Sequence, residues 1–382
     1  KFAAAWLATV DGLLQGERFD EAVTCAEQLL KIDRSTLSYD AHGRALSALG
    51  LFKEARVSFE QARAMASNPA DVLNNLAALE RADGNTRVSK SLLEQALSFE
   101  PNRVEYWNNL GLVELDVGDP LEAMACFEHG LNIDPGHTPV RLNLALLRWQ
   151  SGDCDQTIAT LEEGLVLQPN EFAMHSRAHM VRHYSPRFAA ERLHTLSREA
   201  SRLVADRMRH PRPDGLRRLG IVSADIRQHP IGMALLDMIP AWRDEGIEVH
   251  IYSNGPTDDA LSQSIVDRAD QWVDCRRMSD DALAQKMRLD GIDIAVDMSG
   301  HTHGHRLSAF ASGLAAVQLT WMGFFGTTGL SCFDGIVGDG IVTPPEHQMF
   351  YSEPIISLER CYFAVSPSCL PEVNTTPPPS IM

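Results

Sequence analysis

Residues 104–135 read VEYWNNLGLVELDVGDPLEAMACFEHGLNIDP, and this stretch decides the fold of the first half of the chain. Its central Gly118 belongs to a series of five glycines that stand 34 residues apart: Gly16, Gly50, Gly84, Gly118 and Gly152. A period of 34 residues is typical of stacked helix–turn–helix units. Each glycine is expected in the turn between two helices, because glycine adopts a positive φ without steric cost.

Small and aromatic residues occupy the positions where the two helices of this unit would meet. They are Trp107, Leu110 and Gly111 on the first helix and Ala123, Phe127 and Gly130 on the second, the latter at the i, i+4, i+7 spacing of one buried face. Glycine at 111 would let the helices approach closely, and Pro135 ends the unit. The pattern predicts about five tetratricopeptide-type repeats over residues 1–170. The first is degraded, with one extra residue between Gly16 and Ala22.

Asparagines recur on the first helix of successive repeats, at Asn74, Asn75, Asn108, Asn109 and Asn143. A solenoid of such repeats offers a concave surface to polypeptides. A ladder of side-chain amides there could bind the backbone of an extended acceptor. The alternative is that they are solvated polar positions of an inner helix. Spacing alone leaves both interpretations open.

Composition places the chain among soluble globular proteins, with 44% apolar and 22% charged residues over 382 positions. The net charge of −17 disfavours general nucleic-acid binding, which needs a cationic surface. There is no run of 18 apolar residues that would indicate a membrane span. Seven cysteines without a CxxC or Cys/His pattern predict reduced thiols, as in a cytoplasmic protein, and no zinc site.

Residues 171–215 form a basic interlude, with nine arginines and five acidic residues. We expect a helical junction here that ends in the turn-rich linker PRPDG at 211–215. His175, His179 and His183 are spaced i, i+4, i+8, a spacing that could bind a metal. No Cys or carboxylate completes such a site and the arginines would repel a cation, so we expect partner-facing histidines on an interdomain helix and no metal.

The pattern changes from Leu216 onward to alternating strands and helices. Strands are predicted within 216–225, 247–255, 271–275, 292–299, 317–322 and 333–339, with helices within 232–246, 258–271, 279–290 and 307–314. Such alternation predicts an α/β Rossmann-like lobe with a mainly parallel sheet over residues 216–365.

Three loops at the expected carboxyl ends of these strands carry polar chemistry. The first contains Asp225 and His229, the second contains His301, His303, His305 and Arg306, and the third is the turn GFFGTTG at 323–329. Ligands of parallel sheets bind at this edge. An acid, imidazoles, an arginine and exposed amides together suit a phosphorylated, sugar-like ligand.

The motifs SADIRQHPIG, DGIDIAVDMSGHTHGHR and VQLTWMGFFGTTG, with FDGIVGD, TPPE and YSE after them, resemble the first catalytic lobe of the protein O-GlcNAc transferases. That family joins tetratricopeptide repeats to a glycosyltransferase of two Rossmann-like halves. The resemblance implies transfer of N-acetylglucosamine from UDP-GlcNAc to Ser/Thr hydroxyls of polypeptides, with inversion and with neither a metal nor another cofactor.

The resemblance also assigns residues. Asp225 and His229 match the family's donor-site Asp and His and are the expected catalytic pair. Arg306 matches the arginine that closes a Gly-Tyr-Thr-Lys-Gly-Ala-Arg loop. The turn matches a Gly-Tyr-Pro-Gly-Thr-Ser-Gly segment that touches the donor. The implied donor-binding residues are therefore Arg306, His303, Gly323, Phe324, Phe325, Gly326, Thr327 and Thr328.

Departures from the family pattern concern the donor pocket. Phe325 stands where the family has proline, His301 where it has tyrosine, His303 where it has lysine, and Ile231 where it has a hydroxyl residue. Another UDP-sugar such as glucose therefore remains an alternative, as does a peptide-binding scaffold with a vestigial lobe. The resemblance also implies that residues 366–382 lead toward a second lobe, without which the chain is expected to be inactive.

Overall fold

The computed structural model describes residues 2–16, 18–204, 215 and 217–364. The chain divides into two compact units, Lys1–Ser185 and Pro186–Met382. Apart from Gly215, the linker predicted at 211–215 lies outside the described residues, as does the tail at 366–382.

The first unit is built from consecutive antiparallel helix pairs. Its helices are α1 (Phe2–Gln15), α2 (Phe19–Ile32), α3 (Thr36–Ala48), α4 (Phe52–Met65), α5 (Ala70–Ala82), α6 (Thr86–Phe99), α7 (Val104–Val117), α8 (Pro120–Ile133), α9 (Thr138–Gln150), α10 (Cys154–Leu167) and α11 (Phe172–Arg182). The predicted solenoid of tetratricopeptide repeats is confirmed.

The periodic glycines lie in the turns inside these pairs, and four of them have the expected positive φ: 78° at Gly50, 83° at Gly84, 90° at Gly118 and 84° at Gly152. Gly16 is the exception, since it is not among the glycines with positive φ. Its N–H donates to the carbonyl of Gly12 at 2.9 Å, which continues the hydrogen-bond pattern of α1 by one residue.

Close approach of the paired helices explains why glycine recurs at positions 43 and 111 of the first helices. A Cβ added to Gly111 would lie 2.5 Å from the ring of Phe127, which is fully buried. The same contact recurs two repeats earlier, where a Cβ on Gly43 would lie 2.7 Å from the ring of Phe59. The small residue in the first helix therefore makes room for the aromatic ring of the second.

The two helices of the predicted junction 171–215 fall in different units. Met174 and Ala178 of α11 join the buried cluster of Ala145 and Leu161, so α11 extends the core of the repeats. Helix α12 (Ala190–Ser201) belongs to the second unit. The expectation of partner-facing histidines is wrong for His179, which is only 2% exposed.

The second unit is a seven-stranded sheet with helices between the strands. Its further elements are β1 (Arg218–Ser223), α13 (Pro230–Asp244), β2 (Glu248–Ser253), α14 (Ala260–Val266), β3 (Gln271–Asp274), α15 (Asp280–Leu289), β4 (Ile294–Asp297), α16 (Leu307–Ala311), β5 (Val317–Trp321), β6 (Gly335–Asp339), a 3₁₀-helix (Pro345–Phe350) and β7 (Ile355–Leu358). The strand order is β3-β2-β1-β4-β5-β6-β7, and every described pairing is parallel. The predicted Rossmann-like lobe is confirmed.

The strands that could be predicted from the sequence are the ones whose apolar residues are buried in the sheet. Ile221 of β1, Ile251 of β2 and Val296 of β4 are buried in the sheet core, where α13 packs against them through Leu235 and Ile239. Strand β7 was not predicted, since it is a short edge strand whose residues are mostly exposed.

Two further findings apply to the described part of the chain. None of its helices combines the length and the apolar character needed to cross a bilayer. Its cysteines are free thiols, in agreement with the absence of a disulfide pattern, and Cys369 lies outside the described residues.

Candidate functional site

The sheet changes its direction of growth between β1 and β4. The chain adds β2 and β3 on one side of β1 and then crosses over to place β4 on the other side. Open parallel sheets bind ligands in the crevice at such a switch point. A cavity of about 360 Å³ lies there, and the sequence-predicted residues Asp225, His229, His303 and Gly323 all line it.

His229 lies in this cavity because it caps α13. Its backbone is extended, with φ −149°, and its Nδ1 accepts the N–H of Ile231 at 3.3 Å. Pro230 follows as the first helical residue, where its missing N–H costs nothing. Because Nδ1 is an acceptor, the proton of the neutral ring is assigned to Nε2. His229 can therefore donate a hydrogen bond to a ligand oxygen at the positive end of the helix dipole.

Asp225 is placed by the turn that follows β1. Its N–H donates to Oγ of Ser223 at 3.1 Å, which fixes the backbone at the strand end. Its Oδ1 lies 3.4 Å from Nη2 of Arg227, an exposed and loosely held partner. The side chain remains partly exposed, so its carboxylate can accept a proton from a water molecule or a hydroxyl group in the cavity.

A buried carboxylate anchors the loop that follows β4. Asp297 accepts the N–H of Ser299 at 3.1 Å, the N–H of Gly300 at 2.8 Å and Oγ1–H of Thr320 at 3.0 Å. Burial raises the pKa of Asp297 to about 6, against the lowering effect of these hydrogen bonds. The loop then continues to His303, which is exposed and lines the cavity.

The third wall of the cavity comes from the residues directly after β5. Met322 has φ 65°, and the N–H of Gly323 donates to the carbonyl of Trp321 at 2.8 Å, which makes a γ-turn. A bulky side chain in this conformation is strained, and such strain is concentrated at functional sites. Met322 and Gly323 both line the cavity, because the turn packs directly on the backbone of Met298.

The remaining predicted residues of the 323–329 turn lie outside the described lining of this cavity. Phe324 is buried with its ring edge-on to that of His301, at 5.6 Å between centroids. Phe325 is 40% exposed, and Gly326 is buried. The carbonyl of Phe325 accepts the hydroxyl of Tyr351 at 3.0 Å.

Thr327 and Thr328 are buried and are held by Glu353. Oγ1–H of Thr327 donates to Oε2 at 2.6 Å, and the N–H of Thr328 donates to Oε1 at 2.8 Å. The Thr328 hydroxyl also donates to Oε1. Burial raises the pKa of Glu353, while the two threonines oppose the shift. In the described structure these hydroxyls therefore hold the turn in place from within the protein.

Arg306 is likewise engaged inside the protein and does not line the described cavity. It is 7% exposed, and its Nε donates to Oδ1 of Asp280 at 2.5 Å. Nη1 donates to the carbonyl of Cys275 at 3.0 Å and to Oδ1 of Asn254 at 3.1 Å, and Nη2 donates to the carbonyl of Met278 at 2.7 Å. The guanidinium thus connects the loop after β4 to the loop after β3. A direct donor contact by Arg306 stays a prediction.

In the first unit, four of the five predicted asparagines form hydrogen bonds with one another between neighbouring repeats. Nδ2 of Asn109 donates to Oδ1 of Asn74 at 2.8 Å, and Nδ2 of Asn143 donates to Oδ1 of Asn108 at 2.9 Å. Asn75 donates instead to Oδ1 of Asp40 at 2.8 Å. All five asparagines are partly buried. These bonds connect neighbouring repeats, and acceptor binding by the ladder stays a prediction.

Two of the three histidines spaced along α11 and its C-cap contact backbone carbonyls. His175 Nε2 is 2.8 Å from the carbonyl of Pro169, and His183 Nδ1 is 2.9 Å from the carbonyl of His179. Among the described residues, no group of three or more His, Cys, Asp or Glu side chains is placed to hold an ion.

Sequence reasoning missed several residues that line the cavity. Asn254 follows β2 directly and its Nδ2 donates to the carbonyl of Gly304 at 2.7 Å. Its place after a strand was a usable signal. Phe363 also lines the cavity, more than 20 residues beyond the last predicted strand, and no sequence pattern identified it.

Comparisons with known proteins agree with this architecture. Residues 169–368 match the family described as glycosyl transferase family 41, and residues 104–137 match a tetratricopeptide repeat. The chain is similar to a structure of a Thermobaculum terrenum O-GlcNAc transferase mutant, with a TM-score of 0.69 and 32% identity, over 77% of this chain and 58% of that one.

Two curated relatives match shorter segments. One is the probable UDP-N-acetylglucosamine–peptide N-acetylglucosaminyltransferase SEC of Arabidopsis thaliana, 35% identical over 147 residues, which are 38% of this chain and 15% of the relative. The other is the UDP-N-acetylglucosamine–peptide N-acetylglucosaminyltransferase of Caenorhabditis elegans, 29% identical over 149 residues, which are 38% and 13% of the two chains. The matches therefore span less than a fifth of these relatives.

Proposed function

The chain belongs to glycosyl transferase family 41, and from this we propose that the protein transfers N-acetylglucosamine from UDP-GlcNAc to Ser/Thr hydroxyls of polypeptides, with inversion. The observation that carries the proposal is the cavity at the switch point of the sheet. It collects a carboxylate, two imidazoles and a glycine-rich turn, contributed by Asp225, His229, His303 and Gly323. The names of the Arabidopsis and Caenorhabditis relatives support the same reaction class.

The reaction we propose is a direct displacement at the anomeric carbon. The acceptor hydroxyl attacks, the bond to the diphosphate breaks, and the hydroxyl proton passes to Asp225 through water. His229 donates a hydrogen bond from Nε2 to an oxygen of the UDP-sugar and so orients the sugar. The departing negative charge is stabilised by the positive end of α13 and by backbone amides, without a metal or other cofactor in the proposed scheme.

We further propose that the repeats bind the acceptor polypeptide. The amides of the asparagine ladder are only partly buried. Each of the pairs Asn109–Asn74 and Asn143–Asn108 uses one donor of one amide and one lone pair of the other. Further donors and lone pairs of these amides can bond the backbone of an extended peptide, which would tolerate many sequences.

A second UDP-sugar is a candidate for the donor substrate. Ile231 is 2% exposed and lines the cavity, at the position where the resembling family has a hydroxyl residue. An apolar side chain there removes one hydrogen bond to the sugar, so UDP-glucose is the second candidate donor. A panel of radiolabelled UDP-sugars with a common acceptor distinguishes the two by kcat/KM.

Replacement of His229 by alanine in the full-length protein tests the site. Loss of a positioned acid–base or orienting group is expected to lower the transfer rate by at least about a hundredfold. His347, an exposed histidine of the 3₁₀-helix outside the cavity lining, is the matched control, and His347→Ala should transfer normally. Turnover by His229→Ala within about twofold of the control would remove His229 from the mechanism.

A further inference from the structure

A second cavity in the α/β unit is left without a role by the proposed function. Its volume is about 690 Å³, larger than that of the donor cavity. It is lined by His194, Arg198, Ser201, Arg202, Val204, Gly329, Ser331, Tyr351 and Ser352. Helix α12 supplies one wall, and this helix lies in the basic interlude at 171–215 that the donor site does not use.

Three cationic or potentially cationic side chains share one face of α12. His194, Arg198 and Arg202 are four residues apart and follow one another along the helix and its C-cap. Both arginines are exposed, and no carboxylate in the described part of the chain forms an ion pair with either. Their charge is therefore available to a ligand.

Some exposed arginines of the unit have acidic partners, whereas Arg192 and Arg217, like Arg198 and Arg202, have none among the described residues. The exposed Arg218, Arg243 and Arg276 each form an ion pair with a neighbouring acidic residue, at 2.9, 3.0 and 2.6 Å. Acidic residues outnumber basic ones over 216–382, so partners are plentiful in this part of the sequence. The cavity contains no Asp or Glu in its described lining. An anion would meet attraction there without competition from a resident carboxylate.

Hydroxyl groups also line the cavity. Ser331 and Ser352 supply two of them, and Oγ of Ser352 lies 3.4 Å from Nε2 of His194. The hydroxyl of Tyr351, which lines the cavity as well, donates to the carbonyl of Phe325 at 3.0 Å. Burial and the nearby Arg198 charge both lower the pKa of His194.

We propose that this cavity binds a phosphomonoester group. Two guanidinium groups can together bind the three terminal oxygens of a phosphomonoester, and the hydroxyls of Ser331 and Ser352 can donate to further lone pairs of these oxygens. A carboxylate has two oxygens and would leave several of these donors unused. The volume exceeds that of a phosphate alone, so the group is carried either by a phosphorylated small molecule or by a phosphoserine side chain of a polypeptide.

Titration of three probes into the full-length protein by calorimetry tests the proposal. The probes are inorganic phosphate, a pentapeptide with a central phosphoserine flanked by alanines, and the same peptide with serine. We expect saturable binding of the phosphoserine peptide and at least about tenfold weaker binding of the serine peptide. If inorganic phosphate binds as tightly as the phosphoserine peptide, the source is a small molecule; if it binds at least about tenfold more weakly, the source is a polypeptide.

Variants connect the binding to the cavity. Arg198→Gln together with Arg202→Gln should weaken binding of the phosphoserine peptide by at least about tenfold. Arg192→Gln removes an exposed arginine of α12 outside the cavity lining and should leave the affinity within about twofold. Ser331→Asp keeps both arginines but adds a competing carboxylate, and it should also weaken binding.

Two outcomes would overturn the proposal. One is the absence of saturable binding of either phosphate probe up to about 10 mM, which corresponds to no specific site. The other is equal affinity of the double arginine variant and the unaltered protein. UDP is titrated in parallel and should bind all variants alike, so a failure of this site is distinguishable from a failure of the donor cavity.

Discussion

Replacement of Gly323 by alanine should disable the donor cavity. An added Cβ would lie 2.2 Å from the carbonyl carbon and oxygen of Met298 and 2.4 Å from the amide nitrogen of Ser299. These neighbours are backbone atoms just beyond the carboxyl end of β4, so they cannot rotate away as a side chain would. Ordinary van der Waals contact begins at 3.4 Å, and the two segments must therefore separate by about 1 Å.

This separation sets the expected magnitudes. Misplacement of reacting groups by about 1 Å can lower a rate by about a hundredfold. Overpacking of a well-filled site costs about 1–3 kcal/mol of the free energy of unfolding. We expect Gly323→Ala to show both effects, since the backbone of Met322 beside it is already in a strained conformation and cannot absorb the displacement.

Initial rates of sugar transfer, UDP affinity by calorimetry and thermal unfolding measure these effects. Gly340→Ala is the matched control in the same unit, because no heavy atom lies within 4 Å of its added Cβ and its φ is not positive. The control should behave as the unaltered protein. Transfer by Gly323→Ala within about twofold of the control, with the same unfolding temperature, would refute the reasoning.

Two further predictions concern stability. Gly111→Ala should lower the free energy of unfolding by about 1–3 kcal/mol, because the new Cβ would lie 2.5 Å from the buried Phe127 ring. Gly12→Ala, a helical glycine whose added Cβ meets nothing within 4 Å, should instead raise it by about 0.5–1 kcal/mol; urea unfolding compares the two, and equal signs would contradict the packing argument. The second prediction concerns Asp297, whose pKa burial raises to about 6, above the unfolded value of about 3.9. The folded chain then holds a proton that the unfolded chain releases. The free energy of unfolding, relative to Asp297→Asn, should therefore fall as pH rises from about 4 to 6, by about 2 kcal/mol. A difference that stays flat or rises over this range would show that burial does not raise the pKa of this carboxyl.

Much of the candidate site could be predicted from the sequence. Asp225, His229 and His303 were placed after strands by their position behind apolar runs, and the structure brings all three to one cavity. Residues that directly follow parallel strands must meet at one edge of the sheet, whatever the details of packing. Asn254 obeys the same rule and could have been found with them.

The side chains behind the cavity could not be assigned in this way. The sequence predicts that Arg306 binds an anionic ligand. In the structure its guanidinium donates hydrogen bonds to acceptors within residues 275–280 and to Oδ1 of Asn254. The sequence predicts that Thr327 and Thr328 contact the donor substrate, yet in the described structure they bond to Glu353, 26 and 25 residues further on. No sequence pattern states which polar groups will pair across such separations.

The sequence by itself determined the repeats, the alternation of strands and helices, and the residues at strand ends. These features depend on neighbours three or four positions away, or on the alternation of faces along one strand. Only the tertiary structure decided that the asparagines bond from one repeat to the next and that Met322 is strained at the cavity wall. It also decided that Arg198 and Arg202, which form no ion pair with a described carboxylate, share a cavity with Ser331 and Ser352. Such relations arise when distant segments are packed together, because a buried polar group must find its partner wherever the fold happens to bring one.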